Sequence, residues 1–462
     1  MIMFAHTRRL AALAMAVLAH GAQAGTDLLG AWQAAQQHDA TYAAARAQWQ
    51  AGATRERQAR ALLRPQVSVS GSAGYGVVDR DTRGAQFSAP GFGAANDASF
   101  RTRVDGGTST AWAVIARQPI YSVERTASAH QLERQAQLAD VQLRAAEQAL
   151  ILRTAAAYFG VILAEETLAT LRAQKAEAER ALEAAREKFE AGATPVTDRD
   201  EAQARYDDIR TREIVAANEV TLKRQLYADI TGLPAQGLSR VGAAPPGDRR
   251  ATRAMDEATA LAGRNNPLIA MQALGVDIAR DELARYRALV SPEVDLFARL
   301  ADERMHGPSG YGPRSHVTSN ARIVGLQVTI PLYTGGMRSA KRDEAAALAD
   351  KAQHESQSLR EDVLRQAQAA WLAVSTGAER VLAHEQALKS ARSRLGATET
   401  GKEVGARTML DFMNAQSDYF QAQRNLLQAR YELLLDRLRL AAVTGELGEA
   451  ELRDVNADLT LR

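Results

Sequence analysis

Two aspartates occupy the same place in the same frame. Asp198 ends the run Gly192-Ala193-Thr194-Pro195-Val196-Thr197-Asp198, and 213 residues later Asp411 ends Gly405-Ala406-Arg407-Thr408-Met409-Leu410-Asp411. A carboxylate just past such a turn has two uses. It can cap a helix N-terminus by accepting from unpaired backbone N–H groups. Repeated around a symmetry axis, it can instead form a narrow ring of like charge that favours cations and repels anions. The two frames differ in charge around that point, with Arg407 in place of Thr194 and Asn414 in place of Glu201. By itself Arg407 reads as a solvated charge.

Catalytic chemistry is poorly provided for. The chain has no cysteine, its eight histidines are scattered without ligand spacing, and it carries no G-x-S-x-G, H-E-x-x-H or P-loop motif. Its many paired carboxylates belong to charged helical surfaces. No enzyme activity, no cofactor and no metal site is therefore expected. With 57 basic against 55 acidic residues there is also no electrostatic case for nucleic acid.

The twin frames are part of a longer repeat. Downstream, Ala202-Gln203, Tyr206 and Thr231-Gly232 are echoed by Ala415-Gln416, Tyr419 and Thr444-Gly445; upstream, Pro119-Ile120-Tyr121 is echoed by Pro331-Leu332-Tyr333. Arg60-Ala61-Leu62-Leu63-Arg64-Pro65 matches Arg287-Ala288-Leu289-Val290-Ser291-Pro292 at an offset of 227. A long internal repeat decides architecture ahead of any local pattern. The chain divides as an export signal over 1–24, a first repeat over 25–232, a linker over 233–252, a second repeat over 253–446 and a short tail over 447–462.

The signal rests on Arg8-Arg9, the apolar run Leu10 to Leu18 and the small-residue site Ala22-Gln23-Ala24. That run is about half the ~20 residues a helical span requires, and no other segment is expected to cross a bilayer as a helix. Without cysteine, no N-terminal lipidated cysteine is expected, and membrane attachment is expected to come from the fold itself.

Within each repeat the period changes. Residues 27–63 and 253–289 read as helices, the first with Asp27 as its N-cap. Val67, Val69, Ala73, Tyr75 and Val77 then alternate with small polar residues, and a second strand runs from about 108 to 118 with Trp112 and Val114 on one face. Val294 to Leu300 and Val324 to Ile330 repeat the alternation. The connections 79–106 and 303–321 read as exposed loops. Long helices follow, about 121–192 and 198–230, then 339–404 and 408–443, with apolar residues recurring at Leu132, Ala136, Leu143 and Leu150, and again at Leu168, Leu171, Ala178, Leu182 and Ala185.

One-sided strands of about ten residues suit a soluble half-buried sheet, or an outer-membrane barrel with apolar residues out and polar residues in. Four strands cannot close a barrel, and open edges in lipid would leave backbone groups unpaired. A membrane reading thus demands several copies, and three would supply twelve strands.

The chain resembles the TolC family of outer-membrane channels. The resemblance is carried by Phe189 to Asp198 with Ala204-Arg205-Tyr206-Asp207, by Val404 to Asp411 with Ala429-Arg430-Tyr431, and by Pro331-Leu332-Tyr333-Thr334-Gly335-Gly336. It implies an α+β membrane protein: a homotrimer whose twelve-stranded β-barrel in outer-membrane lipid continues into a long α-helical barrel across the periplasm. It further implies a pore gate at Asp411 and Asn414, an inter-coil clasp formed by Thr197, Asp198, Lys402 and Arg407, and adaptor-contact tips at Gly192, Ala193, Gly405 and Ala406. Lys402 stands where the family has a tyrosine, so an ion pair to Asp198 would replace a hydrogen bond. The implied partners are a periplasmic adaptor and an inner-membrane ABC transporter or other pump. The implied function is a passive exit duct for type I protein secretion. A small-molecule efflux duct is one alternative, and a non-conducting coiled-coil scaffold is another of a different class.

Overall fold

The computed structural model describes residues 26–241, 253–288, 290–309 and 312–460. The expected export segment and residues 242–252 of the linker lie outside them. Contacts divide the chain across its repeats. One unit comprises the residues up to Ala51, Ala139–Ala273 and those from His354 onward; the other comprises Gly52–Leu138 and Leu274–Gln353.

The second unit contains a four-stranded antiparallel sheet: β1 (Gln66–Ala89), β2 (Gly93–Ser122), β4 (Glu293–Ser309) and β5 (Gly312–Thr329), in the spatial order β1-β2-β4-β5. Register makes its two faces distinct. Val69 lies opposite Val114, Val114 opposite Leu300, and Leu296 between Gln118 and Leu326. One face therefore carries Val67, Val69, Trp112, Val114, Leu296, Leu300, Val324 and Leu326, and nearly all of these apolar side chains stand exposed, Val69 at 75% and Val324 at 76%. The other face mixes Ser68, Ser70, Arg117, Arg299, Asp295 and Gln327 with Ile115, Ile323 and Phe297.

A β-bulge tunes this pattern. Pro119 pairs with Asp295, but the next pair is Tyr121 with Val294, which leaves Ile120 as the extra residue. An inserted residue inverts the alternation, so Tyr121 lands on the apolar face. From Trp112 to Tyr121 is about 30 Å along the strand at ~3.3 Å per residue. Tilted by ~40°, that is on the order of 23 Å, close to the ~25 Å apolar band of an outer-membrane barrel flanked by aromatic girdles.

The strands are far longer than the ten residues expected, with lengths of 24, 30, 17 and 18. The stretches 79–106 and 303–321, expected as loops, are the distal halves of two hairpins. Their pairing is polar: Asp79 faces Arg103, Asp81 faces Arg101, and the Arg101 guanidinium lies 3.7 Å from Asp79 and 3.5 Å from Asp81. Cross-strand charge pairs stabilise a ladder without leaving any hydrophobic period to read.

The expected helices 27–63 and 253–289 are each two helices. The first is α1 (Leu28–His38) and α2 (Ala40–Leu62), the second α5 (Met255–Asn265) and α6 (Pro267–Tyr286). The breaks fall at Asp39 and Asn266, again 227 apart. Asp39 Oδ1 accepts from Tyr42 N at 2.6 Å and from Arg153 Nη2 at 2.9 Å; Asn266 Oδ1 accepts from Leu268 N at 2.8 Å while its Nδ2 donates to the Val443 carbonyl. Each side chain caps the following helix and satisfies its orphan N–H groups.

The long helices come in two hairpins: α3 (Val123–Glu190) with α4 (Val196–Thr231), and α7 (Met337–Glu403) with α8 (Met409–Val443). Their lengths, 68 and 36 against 67 and 35 residues, agree within one residue. From Leu150 onward the expected stripe is buried, with Leu168 and Leu171 packed on Ala216 and Val220, whereas Leu132, Ala136 and Leu143 are half-buried. One window of α3 is, contrary to expectation, long and apolar enough to cross a membrane, but half of it is buried. Leu150, Ile151, Tyr158, Phe159 and Ile162 of this helix fill the largest core cluster, with Tyr227 and Tyr431 from α4 and α8.

The segment expected as a tail is structured. It forms α9 (Glu449–Asn456) and β6 (Leu459–Thr460), and β6 pairs with β3 (Arg240–Val241). Asn456 ties the two ends of the described chain together: its Nδ2 donates to Asp27 Oδ2 at 2.9 Å and its Oδ1 accepts from Leu28 N at 3.0 Å. Asp27 itself is the N-cap of α1, as expected, accepting from Gly30 N. Replacing Asn456 with Ala removes both bonds and is expected to cost about 2 kcal/mol, read as a lowered unfolding temperature in detergent.

Candidate functional site

The two hairpin turns are built alike. Helix α3 ends at Glu190 and the chain reverses through Gly192 (φ 70°), with Gly192 N donating to Phe189 O and Ala193 N to Lys188 O. Helix α7 ends at Glu403 and reverses through Gly405 (φ 74°), with Gly405 N donating to Lys402 O and Ala406 N to Gly401 O. Both glycines adopt the left-handed conformation that closes a helix C-terminus. Nothing stands near either missing Cβ, so it is backbone conformation, not space, that demands glycine. Gly192, Ala193, Gly405 and Ala406 are all exposed at the tips.

The helices leaving the turns begin differently. Thr408 caps α8: its hydroxyl accepts from Asp411 N at 3.0 Å, and Asp411 Oδ2 accepts from Thr408 N at 3.1 Å, a reciprocal capping box. These bonds, aided by Arg407 and Arg394, hold the Asp411 carboxyl below its usual 3.8. Helix α4 starts from Pro195, which offers no side-chain cap. Asp411 therefore has the capping use that its sequence position allowed. It also lines, with Asn414, Arg407 and Arg394, a groove of about 350 Å³.

A larger groove of about 460 Å³ lies between the hairpins and brings together Asp198, Glu201, Lys188, Lys402 and Arg407. Three of the four expected clasp residues thus share one cleft; Thr197 is exposed and does not line it. Arg407 reaches both grooves. The Gly401 carbonyl accepts from both Ala406 N and Arg407 N, and a Cβ at Gly401 would come 2.8 Å from Arg407 Cγ. Gly401 positions Arg407, a role that no local motif announces.

Lys402 does not reach Asp198 within the chain. Its ammonium sits 3.9 Å from the centroid of Phe412. In the other hairpin the Arg199 guanidinium lies 4.9 Å from Phe189. Positions 189 and 402 are echoes, as are 199 and 412. The same brace therefore spans both tips with ring and cation exchanged. Only a comparison of pairs across the repeats, not of single residues, could have found it.

Met413 and Met409 of the second hairpin pack on Leu182, Ala185 and Ala202 of the first, with Tyr206 alongside. This apolar junction floors the larger groove.

A family model described as outer membrane efflux protein matches residues 31–232 and 259–446, the two repeats almost end to end. The chain belongs to this family. As an outer membrane efflux protein it resides in the outer membrane, extends into the periplasm and serves as an exit duct; the family is one of channels, not enzymes. The outer membrane protein TolC of Vibrio cholerae is 29% identical over 350 residues, covering 74% of this chain and 78% of that protein. The proteases secretion protein PrtF of Dickeya chrysanthemi is 27% identical over 458 residues, covering 97% and 95%. The solved structure of the outer membrane protein VceC from Vibrio cholerae shares the fold with a TM-score of 0.69 at 16% identity, over 90% of this chain and 96% of that one.

Two outcomes follow for the tips of this family member. Lys402→Ala or Phe412→Ala should each cost about 0.5–1 kcal/mol of local stability, whereas Lys402→Phe with Phe412→Arg, copying the first hairpin, should restore it; amide exchange at 400–414 reads the difference. Because the Asp411 carboxyl is held low, its contribution is present above the usual carboxylate value and disappears as pH falls through the folded value. Protection factors at the α8 N-terminus, which divide out the intrinsic slowing of amide exchange in acid, should accordingly fall as pH drops in the parent protein and be low at all pH in Asp411→Ala.

Proposed function

We propose that three copies of this chain form a duct that exports protein, gated at the hairpin tips and recruited by an inner-membrane ABC transporter through a periplasmic adaptor. The observation that carries the reading is the sheet. Its four strands present one apolar face in register, and among the described residues its outer strands β1 and β5 each have an edge with no partner. In hydrocarbon, every unpaired N–H or C=O costs several kcal/mol. Pairing β5 of one copy with β1 of the next removes the edges, and three copies give a closed barrel of twelve strands, with the apolar face toward lipid and Arg117, Arg299 and Asp295 toward the lumen.

The helices supply a second interface for the same assembly. Val215, Leu222 and Leu226 form an exposed apolar stripe on α4, and Leu372 and Leu382 stand exposed on α7. Such surface stays in water only at a cost of roughly 25 cal/mol per Å², and a neighbouring copy is suited to cover it. In a trimer, Asp411 and Asn414 of each chain contribute to the tip constriction, while Thr197, Asp198, Lys402 and Arg407 face the seams between coils. The turns at Gly192-Ala193 and Gly405-Ala406 face the adaptor.

Protein is the favoured cargo because the relative that matches nearly from end to end, PrtF, is named for protease secretion. Loss of the protein from its host should abolish export of a protein substrate and leave drug susceptibility intact. The converse result would shift the reading to small-molecule efflux. Purified protein should run as a trimer that Leu222→Glu dissociates, and should conduct in planar bilayers with a cation preference that Asp411→Ala reduces. A stable trimer that never conducts would indicate a scaffold.

A further inference from the structure

One cation on the apolar face of the sheet has no counter-charge. Leu300 pairs with Arg322 on one side and Val114 on the other, and Val114 pairs with Val69, so one rung of that face reads Val69, Val114, Leu300, Arg322. Arg322 is exposed, and among the described residues its guanidinium meets no hydrogen-bond or ion-pair partner. The next carboxylate on this face is Asp302, one rung further from the helices, and Arg304 already holds it at 3.0 Å. A basic side chain facing hydrocarbon is destabilising by roughly 2–4 kcal/mol at the bilayer midplane and by much less near an interface.

Assembly does not supply the missing charge. In the closed barrel β5 abuts β1 of the next copy, and β1 contributes Val67, Val69, Gly71, Ala73 and Tyr75 to this face. None of them is acidic. The position suits an interface instead. Trp112, at the outer limit of the apolar band, pairs with Asp302, whose other partner is Asn320. Arg322 lies one rung inside them, ~7 Å along the strand at ~3.3 Å per residue, a distance that a snorkelling arginine covers. Further out, the same face of β4 and β5 turns polar: Asn320, then Arg304 opposite Thr318, then His306 opposite His316, all exposed. On those rungs β1 and β2 carry no charge. The basic character is confined to one strand pair of each copy.

We propose that Arg322, with Asn320 and Arg304 beside it, binds the phosphate of a lipid headgroup in the outer leaflet. A pair of phosphate oxygens accepts from a guanidinium fork in parallel, and the Asn320 amide and the Arg304 guanidinium offer further donors on the same face. The phosphate supplies the anion that neither this chain nor its neighbour provides. A lipid fits the patch better than a free ion does, because the rungs on the helix side, Ala298 with Val324 and Leu296 with Leu326, are apolar and take its acyl chains. The inference rests on the trimeric-barrel reading above and adds to it the lipid chemistry that the barrel wall recognises.

The test uses the full-length trimer in a nonionic detergent, with bis-phosphorylated lipid A and its dephosphorylated form as probes. Native mass spectrometry should show the phosphorylated lipid retained about tenfold better than the other, as expected for a charge-assisted pair. The phosphorylated lipid should also raise the unfolding temperature of the trimer. Arg322→Gln should weaken retention about tenfold and abolish that rise, whereas Arg299→Gln, on the opposite face, should keep both. Arg322→Leu matches its rung neighbours and guards against a folding defect: it should assemble like the parent and still fail to hold the phosphorylated lipid. Equal retention of the two lipid forms, or full retention by Arg322→Gln, would overturn the site. Displacement of the lipid by millimolar inorganic phosphate would overturn the lipid as its occupant. A parent protein that runs as a soluble monomer would instead remove the barrel reading beneath it, whereas a stable trimer indifferent to phosphorylated lipid would remove the site alone.

Discussion

The constraint on which everything else depends is the unfinished sheet. A backbone donor or acceptor cannot remain unpaired in hydrocarbon, and this sheet stops with two open edges, at β1 and β5. Four strands cannot curl far enough to meet each other, so no rearrangement of one chain removes the defect. The same incompleteness recurs in the helices, where an apolar stripe on α4 stands exposed. Sheet edge and helix stripe call for the same remedy, which is another copy of the same chain.

The repeat explains why one kind of neighbour can satisfy both. A duplicated unit makes the contact between its halves, and the contact between one chain and the next, into variants of a single geometry. The variants need not be equal. Turn backbones, helix lengths and the cation–aromatic brace are preserved between the halves, but Met413 against Asp200 and Ala185 against Thr398 are not. Backbone geometry is what sets the assembly, and side chains at the seams are what is free to specialise.

Much of this was legible in the sequence. The offset of 213 located both turns, all four long helices fell within a few residues of their places, and period-two alternation found the membrane-facing part of every long strand. What escaped did so for identifiable reasons. The distal strands are held by cross-strand pairs such as Asp81 with Arg101, and charge on both faces erases the alternation that marks a strand. Asp39 and Asn266 break their helices by capping the next one, yet a single polar residue in a helical run is ordinary and gives no warning. The tip brace escaped because ring and cation trade places, so each position taken singly looks unconserved between the repeats. The β-bulge at Ile120 is invisible for a related reason: it inverts the face of Tyr121 without changing composition at all.

The paired tips carry a consequence for counting. A ring of three chains presents six helical turns, all closed by a glycine with φ near 70° and by the same pair of hydrogen bonds from that glycine and the alanine after it. A partner that grips only the backbone of such turns meets six equal footholds. One that reads the side chains beyond them meets two alternating sets of three, the first beginning Thr194-Pro195 and the second Arg407-Thr408. The stoichiometry of whatever docks there is thus a measure of how deeply it reads: six copies for a partner content with shape, three for one that recognises charge.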